Sequence, residues 1–106
     1  MDNNLHHRFH ALGDPTRLAV VEALLSGPAT VSDLARPHAM ALPAFTKHLG
    51  VLERAGLIES HKAGRVRTCF IAPAALQQID TWFSDRRALW QTRLDALSAL
   101  VEPKKE

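Results

Sequence analysis

The 106 residues contain a single cysteine, Cys69. An internal disulfide is therefore excluded, and so is a thiolate-rich metal centre, because soft metals are captured by several thiolates together. A lone thiol fits a reducing compartment. No apolar run approaches the ~20 residues that cross a bilayer. The N-terminus, MDNNLHHRFH, has no apolar h-region and is not a secretory signal. The expected location is the cytoplasm, with no membrane partner. Catalytic signatures are missing as well: there is no Gly-rich phosphate loop, no HExxH, no GxSxG and no Cys–His nucleophile pair. The chain is expected to be neither an enzyme nor a cofactor carrier. Net charge is small, since 13 Lys and Arg face 11 Asp and Glu to leave +2. Total charge thus makes no case for a polyanionic partner, and any such case must rest on where the charges lie.

What is present is strongly patterned. The length suits one domain, 1–106, with a modest core. Leu5, Phe9 and Leu12 stand at i, i+4 and i+7 and predict a short first helix over 1–12, closed by Gly13. Asp14-Pro15 restarts the chain as N-cap and first helical residue. Leu18, Val21 and Leu25 are expected to face inward from this second helix, which Ser26-Gly27-Pro28 stops. Thr30 and Asp33 have capping-box spacing ahead of a third helix that ends near Pro37. Residues 42–55 predict a fourth helix, capped unusually by Ala41 and closed by Gly56. The period then falls from 3.6 to 2, and 57–62 and 66–71 read as two strands joined by Ala63-Gly64-Arg65. A last helix over 74–101 would run roughly 42 Å. Pro103 ends it, and Glu102 to Glu106 are expected to fray.

The order α-α-α-α-β-β-α is mainly α with a small β-hairpin. A short third helix leading through a tight turn into a fourth is a helix-turn-helix, here 30–55. With the hairpin at 57–72 it becomes a winged helix. The fourth helix, LPAFTKHLGVLER, places Leu42, Phe45, Leu49 and Leu52 on one side. Pro43, Ala44, Lys47 and Arg54 lie on the other, and Thr46 and His48 flank it. Between residues 47 and 67, Lys47, Arg54, Lys62, Arg65 and Arg67 outnumber Glu53 and Glu59 by five to two, a local excess of +3. Such a helix fits the major groove of double-stranded DNA, and the basic hairpin fits the flanking backbone or the minor groove. Thr46, Lys47 and His48 are expected on phosphates. Base reading falls to short side chains around Pro43, Ala44 and Lys47, so specificity is expected to lean on DNA shape.

The last helix carries a stripe of Leu76, Ile79, Phe83, Trp90, Leu94, Leu97 and Val101, widened by Trp82, Leu89 and Leu100. A domain of this size has too little mass to cover it. A second copy of the chain would, with Leu5 and Phe9 of the first helix joining the seam. A symmetric homodimer would set two recognition helices about 34 Å apart and call for a near-palindromic site.

Residues 9–25, FHALGDPTRLAVVEALL, and 42–58, LPAFTKHLGVLERAGLI, together with GRVRT at 64–68, resemble the ArsR (ArsR/SmtB) family of bacterial winged-helix repressors. The resemblance covers about residues 5–101. It implies a homodimeric repressor that releases operator DNA when an effector arrives. It also implies DNA-reading roles for Pro43, Ala44, Thr46, Lys47 and His48, a wing at Arg65 and Arg67, and terminal dimerisation helices. The family's metal-sensing patterns are not matched. Where the arsenic and cadmium sensors carry Cys-x-Cys, this chain has Thr30-Val31-Ser32-Asp33-Leu34, and 74–101 has none of the histidines of the zinc type. No metal site is expected, and no small-molecule effector can be named.

Other readings stay open at this level. His6, His7 and His10 cluster near the N-terminus, with His6 and His10 at a spacing that can grip a metal. Cys69 could serve as a redox handle. A winged helix can also act as a protein-interaction module, which would need no cationic face.

Overall fold

A computed structural model describes residues 4–101. The residues expected to fray, Glu102 to Glu106, lie outside that range. The elements are α1 (Asn4–Leu12), α2 (Pro15–Leu24), β1 (Ala29–Thr30), α3 (Val31–Ala35), α4 (Leu42–Arg54), β2 (Ile58–Ala63), β3 (Val66–Ile71) and α5 (Pro73–Val101). The fold class is the one the sequence implies, with one strand added. The chain forms two compact units, Met1–Leu76 and Gln77–Glu106.

The caps explain the element boundaries in the first unit. The Asp14 carboxylate accepts from the Arg17 backbone N–H at 3.0 Å, and Pro15 opens α2 where a missing N–H is no loss. That hydrogen bond is the main reason the Asp14 carboxyl lies below its ordinary pKa, with partial burial opposing it and His48 and Arg17 assisting. Thr30 Oγ1 accepts from the Asp33 N–H at 3.1 Å. The Asp33 carboxylate turns to Arg36 at 2.7 Å, forming an exposed pair of the weak surface kind. Ala41 caps α4 without a side-chain bond. At the other end of α4, Gly56 takes φ +73°, the Gly56 N–H reaches the Glu53 carbonyl at 2.9 Å, and the Leu57 N–H reaches the Leu52 carbonyl at 3.0 Å. This is a Schellman closure, and it draws Leu57 out of the hairpin into the core.

A lowered Asp14 pKa has a definite sign. The carboxylate contributes stability above the unfolded-state pKa of about 3.9, and the contribution fades as pH falls through the lower folded value. Asp14→Ala is therefore expected to unfold at lower temperature than wild type at pH 5, with the gap narrowing by pH 3. Thermal melts across that range test it, and a gap independent of pH contradicts it.

The sheet runs in the order β1-β3-β2, antiparallel throughout. Strands β2 and β3 pair from Ile58↔Ile71 to Ala63↔Val66. Gly64 turns the chain with φ +63° while Arg65 keeps a negative φ, the signs of a type II′ hairpin turn. The short strand β1 was not foreseen; two residues give no period to detect. It pairs Ala29 with Cys69 and Thr30 with Thr68, and so ties the start of the helix-turn-helix to the wing.

The core of this unit is Val20, Val21, Leu24, Leu34, Phe45, Leu49, Leu52, Leu57, Ile58 and Cys69. Two expectations need correcting. Leu18 and Leu25, expected inside, are 43% and 60% exposed, because the inner face of α2 is centred on Val20, Val21 and Leu24. Leu42 is 57% exposed, since the first turn of α4 reaches beyond the core that Phe45, Leu49 and Leu52 fill.

The second unit consists, in its described part, of the rest of α5. Trp82 and Phe83 meet edge to face at 5.0 Å, and the Arg86 guanidinium lies 4.3 Å over the Trp82 ring. From Phe83 to Val101 every residue is exposed. Phe83, Trp90, Leu94 and Leu97 are 48–61% open. No helix of the described residues is long and apolar enough to cross a membrane.

Candidate nucleic-acid interface

The buried side of α4 holds the helix, and its opposite side stands clear of the protein. Phe45, Leu49 and Leu52 are at most 3% exposed, while Pro43, Ala44, Thr46, Lys47 and Arg54 are exposed. The helix projects as a ridge with a groove on either flank. On one flank Leu42, Thr46 and Gly50 face Lys62, Arg65 and Arg67 of the hairpin across an opening of about 620 Å³. On the other flank Pro43, Lys47, Val51 and Arg54 line a second groove with Gly50 again at its crest. A Cβ at Gly50 would stand 3.1 Å from Arg54 Nη1, the end of an exposed side chain that can shift aside.

The cations differ in how free their charge is. In the hairpin, Arg67 Nη1 donates to Ser60 Oγ at 2.9 Å, and Ser60 Oγ donates to Glu53 Oε1 at 3.3 Å. Arg67, one pair in from the closing pair of the hairpin, is thus tied back to a hydroxyl with a carboxylate close behind it. It also sits directly across from Lys62 in the ladder, a like-charge pair that disfavours the bare hairpin slightly and that an anion would relieve. Arg65, at the tip, is exposed.

Two of the residues expected on phosphates are otherwise engaged. The Thr46 hydroxyl donates to the Leu42 carbonyl at 2.9 Å, leaving it acceptor capacity only, which a phosphate oxygen cannot use. His48 is half-buried. Its Nδ1 lies 3.1 Å from Arg17 Nη1 and 3.7 Å from Asp14 Oδ2, so the ring is directed to α2 rather than outward. Arg17 also donates through Nε to the Ala11 carbonyl at 2.7 Å. One guanidinium therefore joins the end of α1, the start of α2 and the middle of α4. The sequence reading missed this network. The helical wheel held a signal for it, because His48 lies only about 70° from the centre of the face formed by Phe45, Leu49 and Leu52, whereas Lys47 lies nearly opposite.

The redox and metal readings gain nothing from the geometry. Cys69 is fully buried in the central strand. Burial, reinforced by Glu53 and opposed by Arg67, pushes its thiol up, so it persists as the protonated, unreactive form. The His6 and His7 rings meet at a tilt with centroids 4.0 Å apart. Among the described residues no three His, Cys, Asp or Glu side chains gather as a metal would need.

A helix-turn-helix carried on a helical core, with a β-hairpin wing beside an outward-facing α4, defines a winged helix-turn-helix DNA-binding regulator. Residues 12–61 match the family described as "Helix-turn-helix domain". The HTH-type transcriptional regulator Rv2034 of Mycobacterium tuberculosis is 35% identical over 94 residues, covering 89% of this chain and 85% of that protein. The transcriptional repressor SdpR of Bacillus subtilis is 28% identical over 78 residues, covering 74% and 87%. The crystal structure of an ArsR family transcriptional regulator, RHA00566, superposes with TM-score 0.78 at 48% identity, covering 84% of this chain and 98% of that one. The chain belongs to the ArsR family of winged helix-turn-helix transcriptional regulators. Its relatives are regulators of transcription rather than enzymes.

Proposed function

We propose that the protein is a homodimeric repressor that binds a near-palindromic operator, with α4 in the major groove and the hairpin on the flanking backbone. The observation that carries this reading is the ridge with cations on both flanks. A helix lying in the major groove has a phosphate strand on each side. Lys47 and Arg54 serve one strand; Lys62 and Arg65 serve the other, with Arg67 behind them. Pro43 and Ala44 at the start of α4 meet base edges by contact alone. With Lys47 and Arg54 given to phosphates, no Arg, Asn or Gln stands at the start of α4 to bond a base bidentately, so sequence preference comes mainly from groove shape and deformability. Thr46 and His48 act by holding α4 rather than by touching DNA. Two copies of the chain pair through Phe83, Trp90, Leu94 and Leu97 of α5, with Leu5 and Phe9 of α1 at the seam, and present two such ridges to one duplex.

Titrating a fragment from the gene's own upstream region at several salt concentrations tests the proposal. Log affinity should fall linearly with log salt, with a slope of about −0.9 for each phosphate neutralised. Lys47→Ala and Arg65→Ala each remove one contact per protomer. Each should weaken binding to every sequence and flatten the slope by roughly 2 in the dimer. Arg67→Ala should do less, because Ser60 and Glu53 already hold that side chain. Salt-insensitive binding, or indifference to both Lys47 and Arg65, would transfer the assignment to a protein-interaction module.

A further inference from the structure

The face of α4 that carries Lys47 does not end at Arg54. Val51 and Arg54 also line a neighbouring cleft of about 270 Å³, closed on its far side by His7 and His10 of α1, with Ala55 at its floor. We infer that His7, His10 and Arg54 form a second phosphate-binding cleft for the backbone of the same duplex, extending the recognition surface onto α1. This rests on the DNA-binding mode proposed above.

The chemistry favours an anion there. Three side chains that bear or can bear positive charge converge on one small opening. The carbonyl end of a helix would repel an anion, but Arg8 Nε donates to the Ala55 carbonyl at 3.0 Å and places a cation at that end of α4. The charged and titratable groups facing the cleft from α1 and α4 are thus His7, His10 and Arg54, with His6 tilted against His7 and Arg8 bonded to the carbonyl of Ala55. Continuity names the occupant. The shared residues Val51 and Arg54 make the cleft an extension of the groove in which a phosphate strand is proposed to run. His7 and His10 are both exposed on α1.

Imidazole changes charge between about pH 5 and 8, which makes the contact readable. The test is affinity for the upstream duplex at pH 6 and pH 8, at fixed ionic strength, for wild type, the H7A/H10A double variant and the H7K/H10K double variant. All four substitutions are at exposed helix positions. Wild type is expected to bind roughly tenfold tighter at pH 6 than at pH 8, with a steeper salt slope at the lower pH. H7A/H10A should lose most of that difference, and H7K/H10K should bind tightly at both. His48 is intact in all three, so the comparison isolates positions 7 and 10. A pH ratio unchanged in H7A/H10A overturns the inference while leaving the major-groove reading intact if Lys47→Ala still weakens binding. Failure of wild type to bind the duplex overturns both. Inorganic phosphate supplies the last arm. If it raises the melting temperature of wild type and not of H7A/H10A while duplex affinity ignores the histidines, the cleft is a free-anion site and the DNA assignment falls.

Discussion

Leu94→Glu is expected to turn the protein into a monomer of 11.7 kDa and to weaken operator binding by at least about a hundredfold. Leu94 is 48% exposed in the single chain and lies in the middle of an α5 stretch with no residue covered. Glutamate is a good helix former, so the substitution leaves both α5 and the first unit's core as they are. Dimerisation bears the whole effect. Each buried Leu contributes about 1.5–3 kcal/mol, and a two-fold seam loses it twice. Together with the desolvation of two facing carboxylates, the dissociation constant of the dimer rises by roughly a hundred- to ten-thousandfold. A monomer grips one half-site and forfeits the effective concentration that tethers the second. Trp90→Glu should behave alike, Trp90 being 61% exposed. Sedimentation at micromolar concentration with an unaltered far-ultraviolet spectrum checks it. A dimer that persists in both variants would place the interface elsewhere.

The stripe is not a regular coiled-coil seam, and that shapes the expectation. Between Phe83 and Trp90 it is broken by Arg86 and Arg87, and Arg86 is drawn onto the Trp82 ring. The apolar run below the break, from Leu89 to Val101, is the longer part. A glutamate at 94 falls within it, whereas one at 83 would lie beside the arginines and find partial compensation.

Much of this was legible in the residues because local chemistry and tertiary fold agree. Asp14-Pro15, Thr30 with Asp33, and Gly56 each mark a helix end by a mechanism that needs no distant partner, and each end falls where the residues place it. The left-handed Gly64 likewise defines the turn of the wing locally. What stayed hidden depends on distant neighbours. Strand β1 exists only because Cys69 and Thr68 lie beside Ala29 and Thr30, some 40 positions along the chain. His48 is expected among the DNA contacts because it flanks the outward side of the fourth helix. Arg17, 31 residues earlier, claims its ring instead. The inner face of α2 was misjudged for a similar reason. Leu18 and Leu25 are the largest apolar residues of their stripe, but packing is decided by geometry, and the smaller Val20 and Val21 face the core.

Phe45→Ala is expected to lower the stability of the protein by about 3–5 kcal/mol, the largest effect of any single truncation in the first unit. The phenyl ring is fully buried and stacks on His38 with centroids 5.4 Å apart. Its removal leaves a cavity under the first turns of α4, and neighbouring Leu49 and Leu52 are already packed and cannot follow inward without moving the backbone. Against a total of about 5–15 kcal/mol for a domain, such a loss brings the unit near its limit at physiological temperature. Phe45→Leu retains most of the volume and should lose only about 1 kcal/mol. The pair of variants separates anchoring from contact. Phe45 reaches no solvent, so F45L should bind the operator with wild-type salt slope, while F45A should bind with that same slope but lose binding on warming as its folded fraction falls. Urea unfolding measured beside DNA titration decides the matter. An unchanged midpoint for F45A would mean that α4 is held by something other than its buried face, and the outward ridge would lose its rigid base.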